Sequence, residues 1–389
     1  MAGSKIKYSF DEVFQSKFGV LRSEILEALD KYLNCGILCH GCALIECTDC
    51  KYFELLAFSC KQRNLCPSCS ALRALIFSEN LVDNVLKKVP HSHVVFTIPK
   101  RIRPYFKFNR KLNKYLFKAA FQTIKEWGQD EHPGYTPASV MSIHTAGDLL
   151  NFNPHIHALV ALGAFDKNGG VFPFEYINTE WLSVMFARNL FDLLENEPCI
   201  ENEIINNLKS WQNSGFNIWV GEKIECTQVD DLKFIASYLR KSAINLQRVN
   251  FIENTQKIQV TKIYNDTTVD KHFTPLEFIA ELTQHIPNKW EQTTRFYGVY
   301  SARARGAKTS NYDNSYEIEE VEEKSIPSSF FAAAMKKVFH FDPLVCPKCG
   351  GEIRIRNFLF NSKEITRMAK YTGQVSWSAP PSLSKATVA

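Results

Sequence analysis

Two histidines separated by one residue stand at the start of an apolar stretch, as His155-Ile156-His157. Successive side chains of a β-strand alternate between its faces, so both imidazoles would share one face and Ile156 the other. Two neighbouring imidazoles can hold a divalent ion and leave positions open for a substrate oxygen. His144, in a second strand-like stretch, is either a third ligand or an ordinary hydrogen-bonded strand residue.

A tyrosine and a lysine form the second chemically suggestive pattern. Helical spacing in residues 230–243 places Phe234, Tyr238 and Lys241 on one predicted helical face. A tyrosine hydroxyl can attack a phosphodiester and form a covalent intermediate, in which Lys241 could stabilise the negative charge. The same spacing is also typical of an amphipathic helix whose tyrosine lies at the edge of a core. Other tyrosines that could compete for the role are Tyr297 and Tyr300.

Paired cysteines indicate zinc. Of the 12 cysteines in the chain, eight lie between Cys35 and Cys69. Cys47-Thr-Asp-Cys50 and Cys66-Pro-Ser-Cys69 are two Cys-x-x-Cys pairs separated by 15 residues, a spacing typical of a tetrahedral thiolate site. We therefore predict that these four cysteines bind one structural Zn²⁺.

The remaining cysteines leave a second site open. Five further side chains of the N-terminal cluster could complete another zinc site or be buried small residues: Cys35, Cys39, His40, Cys42 and Cys60. Cys346-Pro-Lys-Cys349 is half of a site whose partners the sequence does not reveal. Cys35, Cys60, Cys346 and Cys349 are therefore candidates for further zinc ligands.

A basic and aromatic stretch follows the N-terminal cysteines. Residues 100–118 contain eight basic side chains and no acidic one. Basic side chains contact phosphates and aromatic rings stack on unpaired bases, so the pattern favours single-stranded nucleic acid. Tyr115 and Phe117 are expected to point into the core instead. The DNA-binding candidates from this stretch and a second basic cluster are Lys100, Arg101, Arg103, Arg303 and Arg305.

Periodic patterns indicate the elements that must position these side chains. Apolar and β-branched stretches predict strands at 93–98, 139–147, 155–163, 248–253, 257–264 and 294–302. Helical spacing predicts helices at 110–127, 230–243 and 274–285. Strands and helices that do not alternate strictly predict the α+β class.

Composition narrows the class of protein. The formal net charge of +5 permits a nucleic-acid partner. Because the sequence shows no run of about 18 apolar residues and no signal peptide, we expect a cytoplasmic, nucleoid-associated protein with no membrane partner. Cysteines in such a reducing compartment favour metal binding over disulfides.

Five segments, in this order, resemble the HUH-type (His–hydrophobic–His) rolling-circle transposases of the insertion sequence ninety-one family. They lie between residues 35 and 358 and read CGILCHGCALIECTDCKYFELLAFSCKQRNLCPSC, HTAGDLLNFNPHIHALV, FIASYLRKSAINLQRV, RFYGVYSARARG and FHFDPLVCPKCGGEIRI. The resemblance implies a small zinc-binding domain followed by an antiparallel ferredoxin-like nuclease sheet with helices. It also implies that His155 and His157, with His144, bind the catalytic metal and that Tyr238 is the nucleophile.

The resemblance and the composition together divide the chain into four expected segments. Residues 1–90 form the zinc-binding domain with a connecting helix, and residues 91–306 form the HUH nuclease. Residues 307–375 contain an acidic linker, with six acidic residues between Asp313 and Glu323, and the small Cys-x-x-Cys segment. Residues 376–389 are expected to be disordered.

The implied activity is that of a transposase which nicks and rejoins single-stranded DNA through a 5′-phosphotyrosine, with Mg²⁺ or Mn²⁺ as the catalytic ion. Host replication and helicase machinery is an expected partner, because the chain has no phosphate-binding P-loop. Many family members carry two tyrosines four residues apart, whereas this chain has Phe234 at the first position, so a single-tyrosine variant is expected. Cys39 and Cys42 stand where relatives carry residues that do not bind metal.

Three alternatives remain open at this stage. A plasmid-type replication initiator would use the same chemistry, although the zinc module and the Cys346-Pro-Lys-Cys349 segment favour a transposase. A zinc-dependent DNA-binding protein without catalysis would form no covalent adduct. A hydrolase that acts through metal-bound water would not need Tyr238.

Overall fold

The computed structural model describes residues 12–131, 134–166, 168–174, 178–195, 197–211, 215–264, 267–309 and 342–374. The predicted acidic linker between Asp313 and Glu323 and the predicted disordered tail at 376–389 lie outside these residues.

Helices and strands are mixed along the chain, as the α+β prediction requires. In chain order they are α1 Ser23–Leu33, β1 Cys42–Cys47, β2 Phe53–Ala57, α2 Pro67–Asn84, β3 His91–Thr97, α3 Arg103–Phe108, α4 Asn113–Glu131, β4 Thr136–Ala146, β5 Phe152–Phe165, β6 Val171–Pro173, α5 Thr179–Leu194, α6 Asn202–Lys209, β7 Asn217–Ile224, α7 Val229–Tyr238, β8 Val249–Ile252, β9 Lys257–Tyr264, β10 Thr267–Phe273, α8 Pro275–Thr283, β11 Thr294–Gly298, α9 Ala302–Thr309, β12 Ile353–Leu359 and α10 Ser362–Thr372.

Two compact units divide the chain, and each is assembled from separate segments. The described residues within 77–243 and 287–322 form one unit, here called the histidine unit. The described residues within 1–76, 244–286 and 323–389 form the other, the cysteine unit. The segment 244–286, expected within the nuclease at 91–306, thus groups with the cysteines. So does the described part of the C-terminal segment, which had been expected to stand apart.

The histidine unit is built on one antiparallel sheet. Its strands run in the order β11-β4-β5-β3-β7, and β6 adds to β5. Every neighbouring pair is antiparallel. The class is therefore α+β with antiparallel sheets and helices, as predicted.

The two faces of the central strand β5 contribute to different cores. Ile156, Ala158 and Val160 pack with residues of α4 and α5. Leu159 and Ala161 pack with residues of α2 and α7. Because alternate residues face opposite sides, the odd-numbered His155 and His157 lie on the face that carries α7, as the sequence pattern predicted.

The cysteine unit contains two three-stranded antiparallel sheets. One has the order β12-β1-β2, so its edge strand comes from the far C-terminal part of the chain. The other has the order β10-β9-β8, of which the sequence predicted β8 and β9 but not β10. Helix α8 begins where predicted, because Thr274 and Glu277 form a capping box around its first turn.

No helix among the described residues is long and apolar enough to cross a membrane.

Candidate active site and metal centres

His144, His155 and His157 lie together on one face of the sheet. Strand pairing sets His144 directly opposite His155 and Ser142 opposite His157. One potential ligand atom of each histidine lies within 4.8 Å of the others, a group compact enough to surround one ion. The structure thus brings His144 next to the predicted pair.

Hydrogen bonds orient two of these rings. His155 Nδ1 lies 2.6 Å from the carbonyl oxygen of Asn153, so Nδ1–H donates and Nε2 keeps its lone pair. His144 Nε2 lies 3.2 Å from the carbonyl oxygen of Leu239, which leaves its Nδ1 as the acceptor nitrogen. His144 is therefore hydrogen-bonded, as the alternative interpretation held, and still offers a second nitrogen.

Burial keeps the three imidazoles neutral. It lowers the pKa of His144 to about 3 and holds the pKa of His155 and of His157 below the ordinary range. Neutral imidazole is the form that binds metals. The donor set therefore fits a divalent cation.

His93 is a member of this group that the sequence analysis missed. It lies on β3, which flanks β5 on the side opposite β4. Its ring stacks on His157 with centroids 5.1 Å apart, and its Nε2 lies 2.9 Å from His157 Nδ1. Burial lowers the pKa of His93 to about 4. A signal was present, because His91-Ser-His93 has the same spacing as the recognised pair.

Tyr238 reaches the histidines from a helix on the same face. Helix α7 ends at this residue and is anchored by buried Ala236 and Leu239. The ring centroid of Tyr238 lies 5.1 Å from that of His157 and 5.9 Å from that of His144. The side chain is only half-buried, so a substrate can approach it.

Lys241 contacts Tyr238, although not in the predicted way. The helix predicted for 230–243 ends at Tyr238, so Lys241 does not share its helical face. Lys241 follows the terminal turn, and its Nζ lies 3.4 Å from the Tyr238 hydroxyl and 4.5 Å from the ring centroid. Phe234, one helical turn before Tyr238, is exposed.

The two competing tyrosines lie away from the histidine group. Tyr297 stacks on Phe121 with centroids 4.7 Å apart, against the core under the other face. Tyr300 is fully buried, and its hydroxyl lies 2.7 Å from His91 Nε2. Burial raises the pKa of both hydroxyls, which makes each a poorer nucleophile.

The predicted DNA-binding residues differ in their surroundings. Lys100, Arg101 and Arg303 are exposed. Arg103 donates two hydrogen bonds to the carbonyl of Ile98, at 3.1 and 3.0 Å, and its charge contributes to lowering the pKa of His155. Arg305 donates to the carbonyl of Tyr300 at 3.2 Å and lies over Phe296. The Arg305 guanidinium is therefore engaged in contacts within the protein.

Aromatic side chains around the site fall into two groups. Tyr115 and Phe117 belong to the core, as predicted. Trp219, which the sequence analysis did not single out, lies on β7 opposite Val95, and Val95 lies opposite His157. Its indole is 52% exposed and meets His93 edge-on at 5.5 Å. An exposed indole thus stands on the face of the sheet that carries the histidines.

The cysteines form two groups, and the predicted pairing is wrong. Their members are Cys35, Cys60, Cys66 and Cys69 in one group, and Cys47, Cys50, Cys346 and Cys349 in the other. Cys47 and Cys50 lie at the turn between β1 and β2, whereas Cys66 and Cys69 come after the end of β2, at the start of α2. The two predicted pairs therefore belong to different groups and do not share one ion.

The first group has the dimensions of a zinc site. Cys35 Sγ lies 3.8 Å from both Cys66 Sγ and Cys69 Sγ, and Cys60 Sγ lies 3.6 Å from Cys69 Sγ. Tetrahedral zinc with bonds of about 2.3 Å holds its sulfurs about 3.8 Å apart. Cys42 joins neither group and is fully buried in an apolar cluster, as one of the open interpretations held.

Comparison with known proteins bears on both units. Residues 6–98 match a family described as “Transposase zinc-binding domain”. Residues 139–308 match a family described as “Putative transposase”. The second match includes the three histidines, Tyr238 and Lys241.

Two curated relatives are transposases by name. The chain is 24% identical over 351 residues to “Transposase for insertion sequence element IS801” of Pseudomonas savastanoi pv. phaseolicola, which covers 86% of this chain and 84% of that protein. It is 30% identical over 168 residues to “Putative transposase y4qJ” of Sinorhizobium fredii, and this alignment covers 41% of this chain and 42% of that protein. No solved structure matches.

Proposed function

Because the chain belongs to the transposases of the insertion sequence ninety-one family, we propose that it nicks and rejoins single-stranded DNA in rolling-circle-type transposition. The reaction takes place at His144, His155 and His157, with Tyr238 as nucleophile, in a sheet of the HUH, ferredoxin-like type. One observation carries this proposal: the Tyr238 ring lies 5.1 Å from His157, with the Lys241 ammonium 3.4 Å from its hydroxyl.

The three histidines would hold the catalytic ion, Mg²⁺ or Mn²⁺. When bound, such an ion polarises phosphoryl oxygens and orients the phosphorus for in-line attack. His155 presents Nε2 because its Nδ1–H is held by Asn153. For His157 to present Nε2, its Nδ1–H must donate to His93 Nε2. His93 is therefore a positioning residue.

Tyr238 performs the strand transfer. Its hydroxyl oxygen bonds to the scissile phosphorus as the bond to the 3′-oxygen breaks, and the tyrosine proton passes to solvent. The 3′-oxygen takes up a proton and leaves as a free 3′-OH, while the 5′-phosphate stays on Tyr238. Attack of a 3′-OH on that ester reverses these steps and rejoins a strand without ATP.

Lys241 stabilises the charge that develops in this step. Its ammonium donates a hydrogen bond to the Tyr238 oxygen, and a cation at that distance favours negative charge on the oxygen and on the phosphate. Because Lys241 is exposed, it can move with the oxygen from the tyrosine to the ester.

Single-stranded DNA reaches the site over basic and aromatic surface. The exposed Lys100 and Arg101 follow β3 directly, and Thr97 at its end pairs with His155. Phosphate contacts there would be independent of base sequence. Trp219 offers a ring on which an unpaired base can stack. Arg303 adds a third exposed cation.

The cysteine unit contributes structural zinc at Cys35, Cys60, Cys66 and Cys69. The sulfur spacing supports this assignment, as does the zinc-binding transposase domain matched over residues 6–98. A site closed by four thiolates has no open position, so this ion stabilises the fold and does no chemistry.

A covalent-capture assay tests the proposal. Purified protein is incubated with Mg²⁺ or Mn²⁺ and with labelled single strands that tile the DNA flanking the gene. The expected product is an adduct whose peptide contains Tyr238 joined to a DNA 5′ end, identified by mass spectrometry. Tyr238→Phe should bind DNA and form no adduct, and Tyr297→Phe is the matched control that keeps it.

Other outcomes of the assay identify the alternatives. Cleavage without an adduct, unaffected by Tyr238→Phe, would indicate hydrolysis by metal-bound water. Binding without cleavage of any strand would indicate a DNA-binding protein. An adduct at Tyr297 or Tyr300 would refute the assignment of Tyr238.

A further inference from the structure

Two Cys-x-x-Cys turns meet at one end of the sheet β12-β1-β2. Cys47 ends β1 and Cys50 lies in the turn that leads to β2. Cys346 and Cys349 precede β12, whose first residue, Ile353, pairs with Cys47. The strand register therefore sets the two turns side by side, although Cys346 follows Cys50 by 296 positions in the chain.

The four sulfur atoms are spaced as metal ligands are. Cys47 Sγ lies 3.5 Å from Cys349 Sγ, and Cys50 Sγ lies 3.6 Å from Cys346 Sγ. All four lie within 4.8 Å of one another. Sulfurs around tetrahedral zinc are about 3.8 Å apart, whereas those of a disulfide are about 2 Å apart. The spacing is that of a tetrathiolate ion site.

A backbone amide of the second turn lies close to one of the sulfurs: Gly351 N is 3.4 Å from Cys349 Sγ. Such a bond stabilises a thiolate, the form that binds zinc.

The second turn is closed and packed against the first. Gly350 N donates to the carbonyl of Cys346 at 2.9 Å, and Cys346 N donates to that of Gly351 at 2.8 Å. A Cβ at Gly351 would come into close contact with the carboxylate of Asp49. The second turn thus lies directly against a side chain of the first.

We propose that Cys47, Cys50, Cys346 and Cys349 bind one Zn²⁺, separate from the site at Cys35, Cys60, Cys66 and Cys69. With β1, β2 and β12 this ion completes a zinc ribbon whose two halves come from opposite parts of the chain. The ion joins the C-terminal segment to the N-terminal sheet. This inference does not depend on the nuclease activity proposed above.

The apolar packing around β12 shows what the ion adds. Leu359 at the far end of β12 packs with Leu38 and with Ile365 of α10. At the near end Cys47, Cys346 and Ile353 form a separate small cluster. Two of the four ligand cysteines thus belong to the apolar cluster at the near end, and bonds to zinc would add to its cohesion.

Zinc content and cysteine protection test the proposal on the full-length protein, purified without chelator. Wild type should contain two Zn²⁺ per chain, and the double variant Cys346→Ser/Cys349→Ser should contain one. Cys60→Ser/Cys66→Ser is the matched control and should lose the other ion while Cys346 and Cys349 stay protected.

The rate of cysteine alkylation in the wild-type protein tests the proposal even if a variant unfolds. Mass spectrometry should show rapid labelling of the exposed Cys199 and slow labelling of Cys50 and Cys349 until a chelator is added. Although both are exposed, coordination to zinc lowers the nucleophilicity of their sulfurs and slows alkylation. Rapid labelling of Cys349 in zinc-loaded protein would overturn the proposal. So would a Cys47–Cys349 disulfide in the intact mass, or two zinc ions retained by Cys346→Ser/Cys349→Ser.

Discussion

His93 offers the sharpest test of how the histidine site is built, because it is expected to touch no substrate. In His93→Ala the partner of His157 Nδ1 is lost, while the other two histidines keep their hydrogen bonds. His157 is only 5% exposed, so water replaces His93 poorly at that nitrogen. The proton on His157 can then occupy either nitrogen, and the tautomer that presents Nε2 to the metal is no longer favoured.

The size of the effect follows from this geometry. The lost bond is a neutral one of 2.9 Å, and leaving one buried donor without a partner costs about 1–3 kcal/mol. If most of that cost falls on the metal-bound state, affinity for the ion drops about 10- to 100-fold, the range for partners of metal-binding histidines. His93→Gln keeps an acceptor oxygen and should recover part of the loss.

The assay is the rate of single-strand nicking as a function of Mn²⁺ concentration. His93→Ala should need more metal for half-maximal rate and approach the wild-type rate when the ion saturates. His91→Gln is the matched control, since His91 lies two residues away but bonds to Tyr300. It should lower stability without changing the metal dependence. If the nicking rates of His93→Ala and wild type depended identically on Mn²⁺ concentration, the positioning role of His93 would be refuted.

Three further predictions concern stability and binding. Burial lowers the pKa of His91 from 6.5 to about 4; below pH 6.5 the unfolded chain therefore takes up a proton that the folded protein refuses. The buried neutral His91 should therefore lower the free energy of unfolding by about 2 kcal/mol at pH 5 and not at all above pH 7. Between pH 5 and 7, the free energy of unfolding of His91→Gln, measured with urea, should change less with pH than that of wild type. An equal change in the two proteins would show that His91 is not the source of the pH dependence. Trp219→Ala should weaken binding of short single strands by about 1–3 kcal/mol if one base stacks on the indole, measured by fluorescence anisotropy; Trp290→Ala removes another exposed indole as control, and equal effects of the two would argue against stacking beside the histidines. Cys66→Ser should lower the zinc content by one ion and destabilise the segment around Cys35 and Cys60, because zinc binding and folding are coupled, while the sheet β12-β1-β2 keeps its own zinc. Retention of every zinc ion, measured by elemental analysis, would exclude Cys66 as a ligand.

Local patterns in the sequence predicted much of the site because backbone geometry alone produces them. The period of two along a strand places His155 and His157 on one face whatever the rest of the chain does. The same reasoning identified β4 and β5 and placed His144 on an adjacent strand. The predicted start of α8 at Thr274 is correct for the same reason, since a helix cap involves only the first turn, where the structure shows a capping box of Thr274 and Glu277. Family resemblance then pointed to Tyr238 among the tyrosines.

The end of helix α7 shows where local patterns become insufficient. Apolar spacing continues to residue 243, and neither glycine nor proline follows Tyr238 to mark a terminus. In the folded protein the helix nevertheless ends at Tyr238, and Leu239 is buried beside Ala236. Lys241 therefore meets Tyr238 across a turn, in which Lys241 N donates to the Tyr238 carbonyl at 3.0 Å.

Only the tertiary structure shows which side chains distant in sequence come together in these sites. The pairing of β3 with β5 brings His93 to His157, and the pairing of β1 with β12 brings Cys346 and Cys349 to Cys47 and Cys50. A Cys-x-x-Cys pair shows by its spacing that it can bind half an ion, but nothing within it specifies the other half. That choice depends on strand register and hairpin length, which place side chains in space independently of their separation along the chain.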